Sequence, residues 1–260
     1  MEKTILFIHG AWVTPQCWDK FIPFFQEKGY RCLAPAWPYK DKPVDELRKS
    51  PPKGLAGLGV KEIVDHYDRI IRGLEEPPVL IGHSFGGLFV QMLLDRGLGR
   101  AGVAIDSAPP KGVLPLQWSA LKANMWILLT PQGSKRIVNM SFEKFQYSFV
   151  NGLPLEQQQA AYEQQVIPDT GRIFFEAGLA LFDSSNAVKV NFKNQDRAPL
   201  LMIAGEADHV VPAAMNRSNF AKYRRSKART DFKEFPGRVH WIIAQDGWEE
   251  VAGYIFEWLA

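Results

Sequence analysis

Short apolar segments alternate with amphipathic segments along the chain, and this alternation restricts the fold more than any other feature of the sequence. Strands that alternate with helices predict an α/β protein with a mostly parallel sheet flanked by helices. We expect about six strands, at Ile5–His9, Arg31–Ala36, Val79–His83, Ala101–Asp106, Leu200–Ala204 and Thr230–Phe235. We expect helices at Gln16–Glu27, Val60–Leu74, Gly86–Arg96, Ala213–Arg224 and Trp241–Trp258.

Two segments interrupt the alternation. Pro38–Gly59 is rich in Pro, Lys and Gly, which predicts an irregular surface excursion. Pro109–Arg197 is too long for an unstructured loop, so we interpret it as a mostly helical cap inserted into a core of residues 1–108 and 198–260. Such a cap would give a pocket apolar walls, although core packing is the simpler role for most of its aromatic residues. These are Trp118, Trp126, Phe142, Phe145, Tyr147, Phe149, Tyr162, Phe174, Phe175 and Phe182.

Composition and charge exclude several classes of function. The chain has 260 residues, 46% of them hydrophobic, and a formal net charge of +3, too small to indicate nucleic-acid or membrane-surface binding. The basic residues between Lys222 and Arg229 have helical spacing, which predicts a solvated helix face. With no signal-peptide pattern and no apolar run near ~20 residues, we expect a cytoplasmic protein. Cys17 and Cys32 lack metal-ligand spacing, which favours buried free thiols.

The segment Gly82-His83-Ser84-Phe85-Gly86-Gly87 carries the chemistry. It lies between a strand candidate and a helix candidate, the context in which G-x-S-x-G forms a sharp turn that exposes the serine hydroxyl. Glycines at 82 and 86 remove Cβ atoms that would collide across that turn. A dinucleotide-binding loop is excluded, because G-x-G-x-x-G would need glycine at Ser84. Ser84 is therefore the candidate nucleophile.

A serine nucleophile needs a base, and the base needs an orienting acid. In this arrangement the chain order is Ser, then Asp or Glu, then His. Asp208 follows the strand candidate Leu200–Ala204, and His240 follows Thr230–Phe235. We therefore predict that Ser84, Asp208 and His240 form a catalytic triad.

Other acids and histidines compete for these roles. Asp106 also follows a strand candidate and is the main alternative acid, and Glu206 is a weaker one. The remaining histidines have structural interpretations. His9 and His83 would order loops through hydrogen bonds, His66 would lie on an exposed helix face, and His209 adjoins Asp208.

Stabilising a tetrahedral oxyanion requires two backbone N–H donors. One is expected from Phe85, directly after the nucleophile, and the other from the loop after the first strand. In that loop Ala11 is the favoured donor, because Gly10 permits a tight turn. Trp12 is a less favoured donor and is expected to line the substrate pocket instead.

At these residues the chain resembles the α/β-hydrolase superfamily over nearly its full length. His9-Gly10-Ala11 and Trp18 resemble the opening pattern of the small serine esterases and hydroxynitrile lyases. The resemblance implies a cap inserted after the sixth-strand position, and no cofactor or metal. The lyase members typically have Thr where Gly10 stands and Lys where Trp241 stands, so these two departures favour hydrolysis.

We therefore predict a hydrolase that cleaves carboxylic esters of small to medium apolar substrates through an acyl-enzyme on Ser84. Lactonases, carbon–carbon bond hydrolases and perhydrolases use the same triad, and a receptor of this fold could retain it with little turnover. The expected partner is a small-molecule ester or lactone, with no nucleic acid and no membrane. The sequence leaves the oligomeric state open.

Overall fold

A computed structural model describes residues 3–114, 117–182 and 184–260. Up to the fourth strand the elements are β1 (Lys3–Ile8), α1 (Phe21–Glu27), β2 (Tyr30–Leu33), α2 (Val44–Lys49), α3 (Val60–Arg72), β3 (Val79–His83), α4 (Phe85–Asp95) and β4 (Ala101–Ile105). The insertion, residues 109–197, contains α5 (Trp118–Leu128), β5 (Ile137–Val138), α6 (Phe142–Ser148), α7 (Leu155–Gln165), β6 (Asp169–Thr170) and α8 (Arg172–Gly178). The chain ends with β7 (Leu200–Gly205), α9 (Ala213–Lys222), β8 (Thr230–Phe235) and α10 (Trp248–Leu259).

Six strands form one sheet in the order β2-β1-β3-β4-β7-β8, with every pairing parallel. Strands β3, β4 and β7 are buried along their whole length, as expected for central parallel strands covered by helices on both faces. The edge strands β2 and β8 are mostly half-buried. The predicted α/β architecture with a six-stranded parallel sheet is therefore confirmed.

The strand order reverses at one point in the sheet. From β1 the chain moves to β2 on one side and then to β3 on the other, so β1 and β3 are neighbours although β2 lies between them in sequence. Ligands of such sheets bind beyond the carboxyl ends of the strands at this reversal. The loops at this point are those after Ile8 and His83, which contain Gly10 and Ser84.

Two predicted helices begin later than expected. A 3₁₀ turn at Pro15–Trp18 precedes α1, so the segment predicted as the helix Gln16–Glu27 is divided in two. The last helix was expected from Trp241 but begins at Trp248, after Gly247 with φ +80°. A left-handed backbone cannot continue an α-helix. The residues before Gly247 form turns that fix the loop carrying His240.

The expectation of an irregular excursion at Pro38–Gly59 is wrong in part. This segment contains α2 and a 3₁₀ turn at Lys53–Gly57, and the side chain of Lys40 within it is fully buried. The regular structure of the insertion is mainly helical, in α5 to α8, with the short antiparallel ribbon β5–β6 in addition. Across the described part of the chain, none of the helices has the length and apolarity needed to cross a bilayer.

Candidate active site

Ser84 occupies a strained turn between β3 and α4. Its backbone has φ +58° and ψ −121°, a conformation that non-glycine residues rarely adopt. The Ser84 N–H donates to the Ile105 carbonyl at 2.9 Å, and the Ser84 carbonyl accepts the N–H groups of Gly87 and Ala108, both at 3.0 Å, and of Leu88 at 3.3 Å. Such strain persists only where the surrounding structure imposes it, and it marks functional turns.

The glycines around Ser84 are required by close backbone contacts. A Cβ on Gly82 would lie 2.1 Å from the Gly86 carbonyl oxygen, and a Cβ on Gly86 would lie 2.0 Å from the Ile8 carbonyl oxygen. Gly10, in the loop after β1, would place a Cβ 2.8 Å from the Ser84 Cβ. The loop after β1 therefore lies directly against the serine.

Asp208 and His240 form a buried pair, as the chain order predicts. The distance from Asp208 Oδ2 to His240 Nδ1 is 2.7 Å, and both side chains are fully shielded from solvent. The other carboxylate oxygen, Oδ1, accepts the N–H groups of Val210 at 2.6 Å and Val211 at 3.0 Å. These bonds fix the carboxylate and leave His240 Nε2 buried without a hydrogen-bond partner among the described residues.

The two alternative acids occupy different places. Glu206 is exposed and accepts the Gly237 N–H through Oε2, so it does not contact His240. Asp106 is fully buried with φ +42°, and its Oδ1 accepts the Gly205 N–H at 2.7 Å. Burial, followed by the neighbouring Asp208 carboxylate, raises the pKa of Asp106 well above its usual range. These surroundings favour the protonated form of Asp106, whose other oxygen, Oδ2, is buried without a hydrogen-bond partner among the described residues.

His83 and His9 order loops, as expected. His83 Nε2 donates to the His240 carbonyl at 2.7 Å, which anchors the loop that carries the base. His9 donates from Nδ1 to the Gly10 carbonyl at 2.8 Å and accepts the Trp37 N–H at Nε2. Burial lowers the pKa of both imidazoles well below the usual value, and nearby His240 and Lys40 respectively add to the effect. Both rings are therefore neutral.

His66 and His209 lie outside the Asp208–His240 pair. His66 was expected on an exposed helix face, which is wrong: it is half-buried and hydrogen-bonds the Ala36 carbonyl. His209 hydrogen-bonds the Tyr147 carbonyl at 2.9 Å, which links the loop after β7 to the insertion.

The loop after β1 presents its backbone toward Ser84. The N–H of Trp12 donates to Asp169 Oδ2 at 2.6 Å, so it is not free to bind a substrate oxygen. Phe85 is the first residue of α4, where an N–H has no intrahelical acceptor. Ala11 and Phe85 both line the cavity that contains Ser84, as does the Trp12 ring. This arrangement favours Ala11 over Trp12 as the oxyanion donor from this loop.

A cavity of about 450 Å³ lies over Ser84, between the sheet and the insertion. Its walls are mainly aliphatic side chains, among them Val113, Leu121, Ile127, Leu128, Met140, Val211 and Met215. Of the ten aromatic residues noted in the insertion, Phe149 and Phe174 line it, whereas Phe145 is core and Trp118 and Phe182 are largely exposed. Lys111 is the one charged residue among the described lining residues, and its Nζ donates to Asn186.

Three buried side chains at this site have the spacing of metal ligands. Donor atoms of His83, Asp106 and His240 lie within 4.8 Å of one another. However, His83 Nε2 donates to a carbonyl, Asp106 Oδ1 accepts an amide N–H, and His240 Nδ1 bonds Asp208. Asp106 Oδ2 and His240 Nε2 have no hydrogen-bond partner among the described residues, whereas His83 could use Nε2 as a ligand only by giving up its bond to the His240 carbonyl.

A buried ion pair, Lys40–Asp169, lies next to this site and was not expected from the sequence. Lys40 Nζ is 2.5 Å from Asp169 Oδ2, the same oxygen that accepts the Trp12 N–H. The partners are 129 positions apart. Lys40 lies in a segment that the sequence marks only as rich in proline and lysine, so no local pattern identifies the pair.

Comparisons with known proteins agree with this architecture. A curated relative, a pyrethroid hydrolase from Sphingobium wenxiniae, is 31% identical over 93 residues, which span 34% of this chain and 29% of the relative. The structure is similar to that of a monoacylglycerol lipase from Paleococcus ferrophilus, with TM-score 0.65 and 26% identity over 98% of this chain and 93% of the other. It is also similar to an extracellular α/β-hydrolase from a Paenibacillus species, with TM-score 0.73 and 18% identity over 98% of each chain.

Three findings lead to one assignment: local sequence similarity to a hydrolase, a fold shared over nearly the whole chain, and the strained turn at Ser84. The model of the alpha/beta hydrolase family matches residues 5–253, which is most of the chain. That range includes Ser84, Asp208 and His240 together with the whole insertion. The chain therefore belongs to the α/β-hydrolase family.

Proposed function

We propose that this protein is a serine hydrolase that cleaves carboxylic esters of small to medium apolar substrates. One observation carries the proposal: a buried Asp208–His240 pair with an unpartnered Nε2, next to an apolar cavity that contains the strained Ser84. The orphaned nitrogen is the atom a general base needs for a serine proton. The matches to a pyrethroid hydrolase and a monoacylglycerol lipase support ester cleavage.

In the first half-reaction, Ser84 Oγ attacks the ester carbonyl carbon while His240 Nε2 takes the hydroxyl proton. The carbonyl oxygen becomes an oxyanion, which the N–H groups of Ala11 and Phe85 stabilise. Asp208 holds the proton on Nδ1 and so keeps Nε2 as an acceptor. When the intermediate collapses, the bond from carbon to the alkoxy oxygen breaks and His240 protonates the leaving alcohol.

In the second half-reaction, water replaces the alcohol. His240 Nε2 takes a proton from water, whose oxygen attacks the carbonyl carbon of the acyl-enzyme. The bond to Ser84 Oγ then breaks, His240 returns the proton to that oxygen, and the carboxylic acid leaves. Burial disfavours charge on His83 and on Asp106, so the Asp208 carboxylate is the main electrostatic partner of the imidazolium.

The cavity supports an apolar acyl or alcohol group. Its aliphatic walls stabilise buried hydrocarbon at roughly 25 cal/mol per Å². They offer little to a charged group, whose burial without a partner is strongly unfavourable. Trp12, whose ring stacks on Trp126 at 5.8 Å and Phe174 at 5.1 Å, gives the cavity a rigid aromatic wall beside Ser84.

The test is Ser84→Ala, assayed with short-chain p-nitrophenyl esters and with a fluorescent fluorophosphonate. We expect kcat to fall by ~10⁴-fold or more and labelling to disappear. Ser107→Ala is the matched control, since Ser107 is equally buried and near the turn but its hydroxyl bonds Gln91 and the Ala108 carbonyl. A Ser84→Ala variant that keeps activity within tenfold of wild type would refute the proposal.

A further inference from the structure

The insertion holds the backbone of Trp12 at both of its polar groups. The Trp12 N–H donates to Asp169 Oδ2 at 2.6 Å, and the Trp12 carbonyl accepts the Ile167 N–H at 2.8 Å. Both partners lie at or near β6, 155 or more positions away in the chain. The short segment that contains the proposed oxyanion donor Ala11 is therefore fixed from the insertion.

Trp12 needs this support because its backbone is strained. It has φ +68°, in the left-handed region that a bulky L-residue rarely adopts. The conformation also directs the preceding segment, where Gly10 abuts Ser84 and Ala11 lines the cavity. A relaxed Trp12 would rotate the peptide units before it and move the Ala11 N–H away from the reacting carbonyl.

A buried carboxylate can hold this amide only if its charge is compensated. Lys40 provides the compensation: its Nζ lies 2.5 Å from Asp169 Oδ2, and neither side chain is exposed. The same ammonium lies 4.1 Å from the centre of the Trp37 ring and 3.4 Å from the Val13 carbonyl. Asp169 Oδ1 is satisfied by the Thr170 N–H at 2.7 Å. Among the described residues, both oxygens of Asp169 therefore have hydrogen-bond partners, and one of these partners is the Trp12 N–H in the loop beside the nucleophile.

We infer that Asp169, with Lys40 as its counterion, is a positioning residue for the oxyanion hole. It holds Trp12 in the left-handed conformation and so aims the Ala11 N–H at the carbonyl attacked by Ser84. This inference rests on the proposed function, since it assigns Asp169 a part in the same ester hydrolysis. A displacement of about 1 Å at a catalytic group can lower the rate ~100-fold, so the effect is measurable.

Two double variants separate the hydrogen bond from the charge. Lys40→Met with Asp169→Asn removes both charges but keeps an oxygen that can accept the Trp12 N–H. Lys40→Met with Asp169→Leu removes both charges and the acceptor. These double variants are called the asparagine pair and the leucine pair, after the residue that replaces Asp169. Replacing a buried ion pair with uncharged residues of similar volume is often tolerated, so both should fold. Arg48→Met is the control, because Arg48 ties α2 to the insertion through the carbonyls of residues 162, 163 and 166 without contacting Trp12.

The readouts are kcat and KM per active site, counted by fluorophosphonate titration, and the inhibition constant of a trifluoromethyl ketone that forms a tetrahedral adduct on serine. For the leucine pair we expect kcat about 100-fold below wild type, KM within threefold, and trifluoromethyl ketone affinity reduced in proportion to kcat/KM. The asparagine pair should retain at least tenfold more kcat than the leucine pair. Arg48→Met should keep the wild-type kcat even if its melting temperature falls.

Equal kcat per titrated site in the two pairs, with only the melting temperature lowered, would overturn the inference and leave the proposed function intact. A wild type that hydrolyses no ester would overturn both. If the leucine pair does not fold, Lys40→Met with Asp169→Ala, which also removes the acceptor and inserts a smaller side chain, carries the test. We expect it to lower kcat with little change in KM, and an unchanged kcat would overturn the inference.

Discussion

Replacing each of the two buried aspartates with asparagine is the sharpest test of which acid supports His240. In Asp208→Asn the remaining side-chain oxygen is needed by the N–H groups of Val210 and Val211. The amide NH₂ therefore takes the place of the oxygen that lies 2.7 Å from His240 Nδ1. The favoured imidazole tautomer then carries its proton on Nε2, which cannot accept the Ser84 proton. Loss of this acid in a serine–histidine–aspartate triad lowers kcat by ~10⁴-fold. At 1.36 kcal/mol per tenfold, that is about 5.5 kcal/mol of transition-state stabilisation.

Asp106→Asn should behave differently, although Asp106 also follows a central strand. A protonated Asp106 and an asparagine offer the same groups: an oxygen for the Gly205 N–H and a donor toward Asp208. The variant is close to isosteric with a protonated Asp106, the form that the raised pKa favours. We expect kcat within about tenfold of wild type, a contrast of roughly a thousandfold with Asp208→Asn.

The assay is kcat for a short p-nitrophenyl ester at pH 7.5, normalised by fluorophosphonate titration so that only reactive sites are counted. The double variant Asp106→Asn with Asp208→Asn is included. Because a protonated Asp106 carries no charge, kcat of the double variant should lie no more than about tenfold below that of Asp208→Asn alone. Greater damage from Asp106→Asn than from Asp208→Asn would exchange their roles. A further hundredfold loss in the double variant would show that Asp106 ionises and acts on His240.

Three further outcomes follow from the packing and the electrostatics. For p-nitrophenyl esters of increasing length, kcat/KM should rise up to about fourfold per CH₂, because each buried CH₂ contributes ~0.8 kcal/mol, and should drop once the chain exceeds the cavity. A dicarboxylate monoester should be a poor substrate, because its charge would be buried without a partner. A kcat/KM that does not change with chain length would contradict this prediction. Gly86→Ala should destabilise the fold by more than about 3 kcal/mol in urea unfolding, since its Cβ would lie 2.0 Å from the Ile8 carbonyl oxygen, whereas Gly253→Ala in α10 meets no atom within 4 Å and should be neutral or stabilising. The raised pKa of Asp106 contributes stability that is complete below about pH 4 and is lost as pH rises toward the folded-state pKa. The free energy of unfolding of Asp106→Asn should therefore increase relative to that of wild type between about pH 4.5 and 7.5. A difference that stays constant over this range would argue against a protonated Asp106.

The sequence predicts the central sheet well because burial on both faces leaves a continuous apolar run. Val79–His83 coincides with the central strand β3, and the other strands of the sheet differ by at most three residues at their ends. The edge strand Thr230–Phe235 coincides with β8 as well, although its sequence mixes apolar and polar residues. Helix starts are harder to predict, because they depend on loops held by tertiary contacts. The segment after His240 has helical apolar spacing, yet its turns bond Phe149 and Val239, and α10 begins only after Gly247.

The residues of the proposed triad can be predicted because each one follows a strand whose end is visible in the sequence. What supports them cannot be read locally. His83 bonds the carbonyl of His240, 157 positions away, and Asp169 reaches Trp12 over the same separation. Likewise, the insertion aromatics carry no mark that distinguishes buried Phe145 from exposed Phe182, because only tertiary packing decides which faces are covered.

The two departures from the lyase pattern acquire a physical meaning in the structure. At Gly10 the space for a side chain is already taken by the Ser84 Cβ, 2.8 Å from where a Cβ would lie, so a threonine hydroxyl has no place beside the nucleophile without a backbone shift. Trp241 lies 5% exposed with its ring near Phe145 and is not among the residues that line the substrate cavity. Neither position thus supplies a polar group to a leaving cyanide. The walls of the cavity that contains Ser84 are mainly apolar, with Lys111, Asn124 and Ser148 as the other polar side chains among the described lining residues. Such a surface suits the hydrocarbon part of an apolar ester, as the proposed function requires.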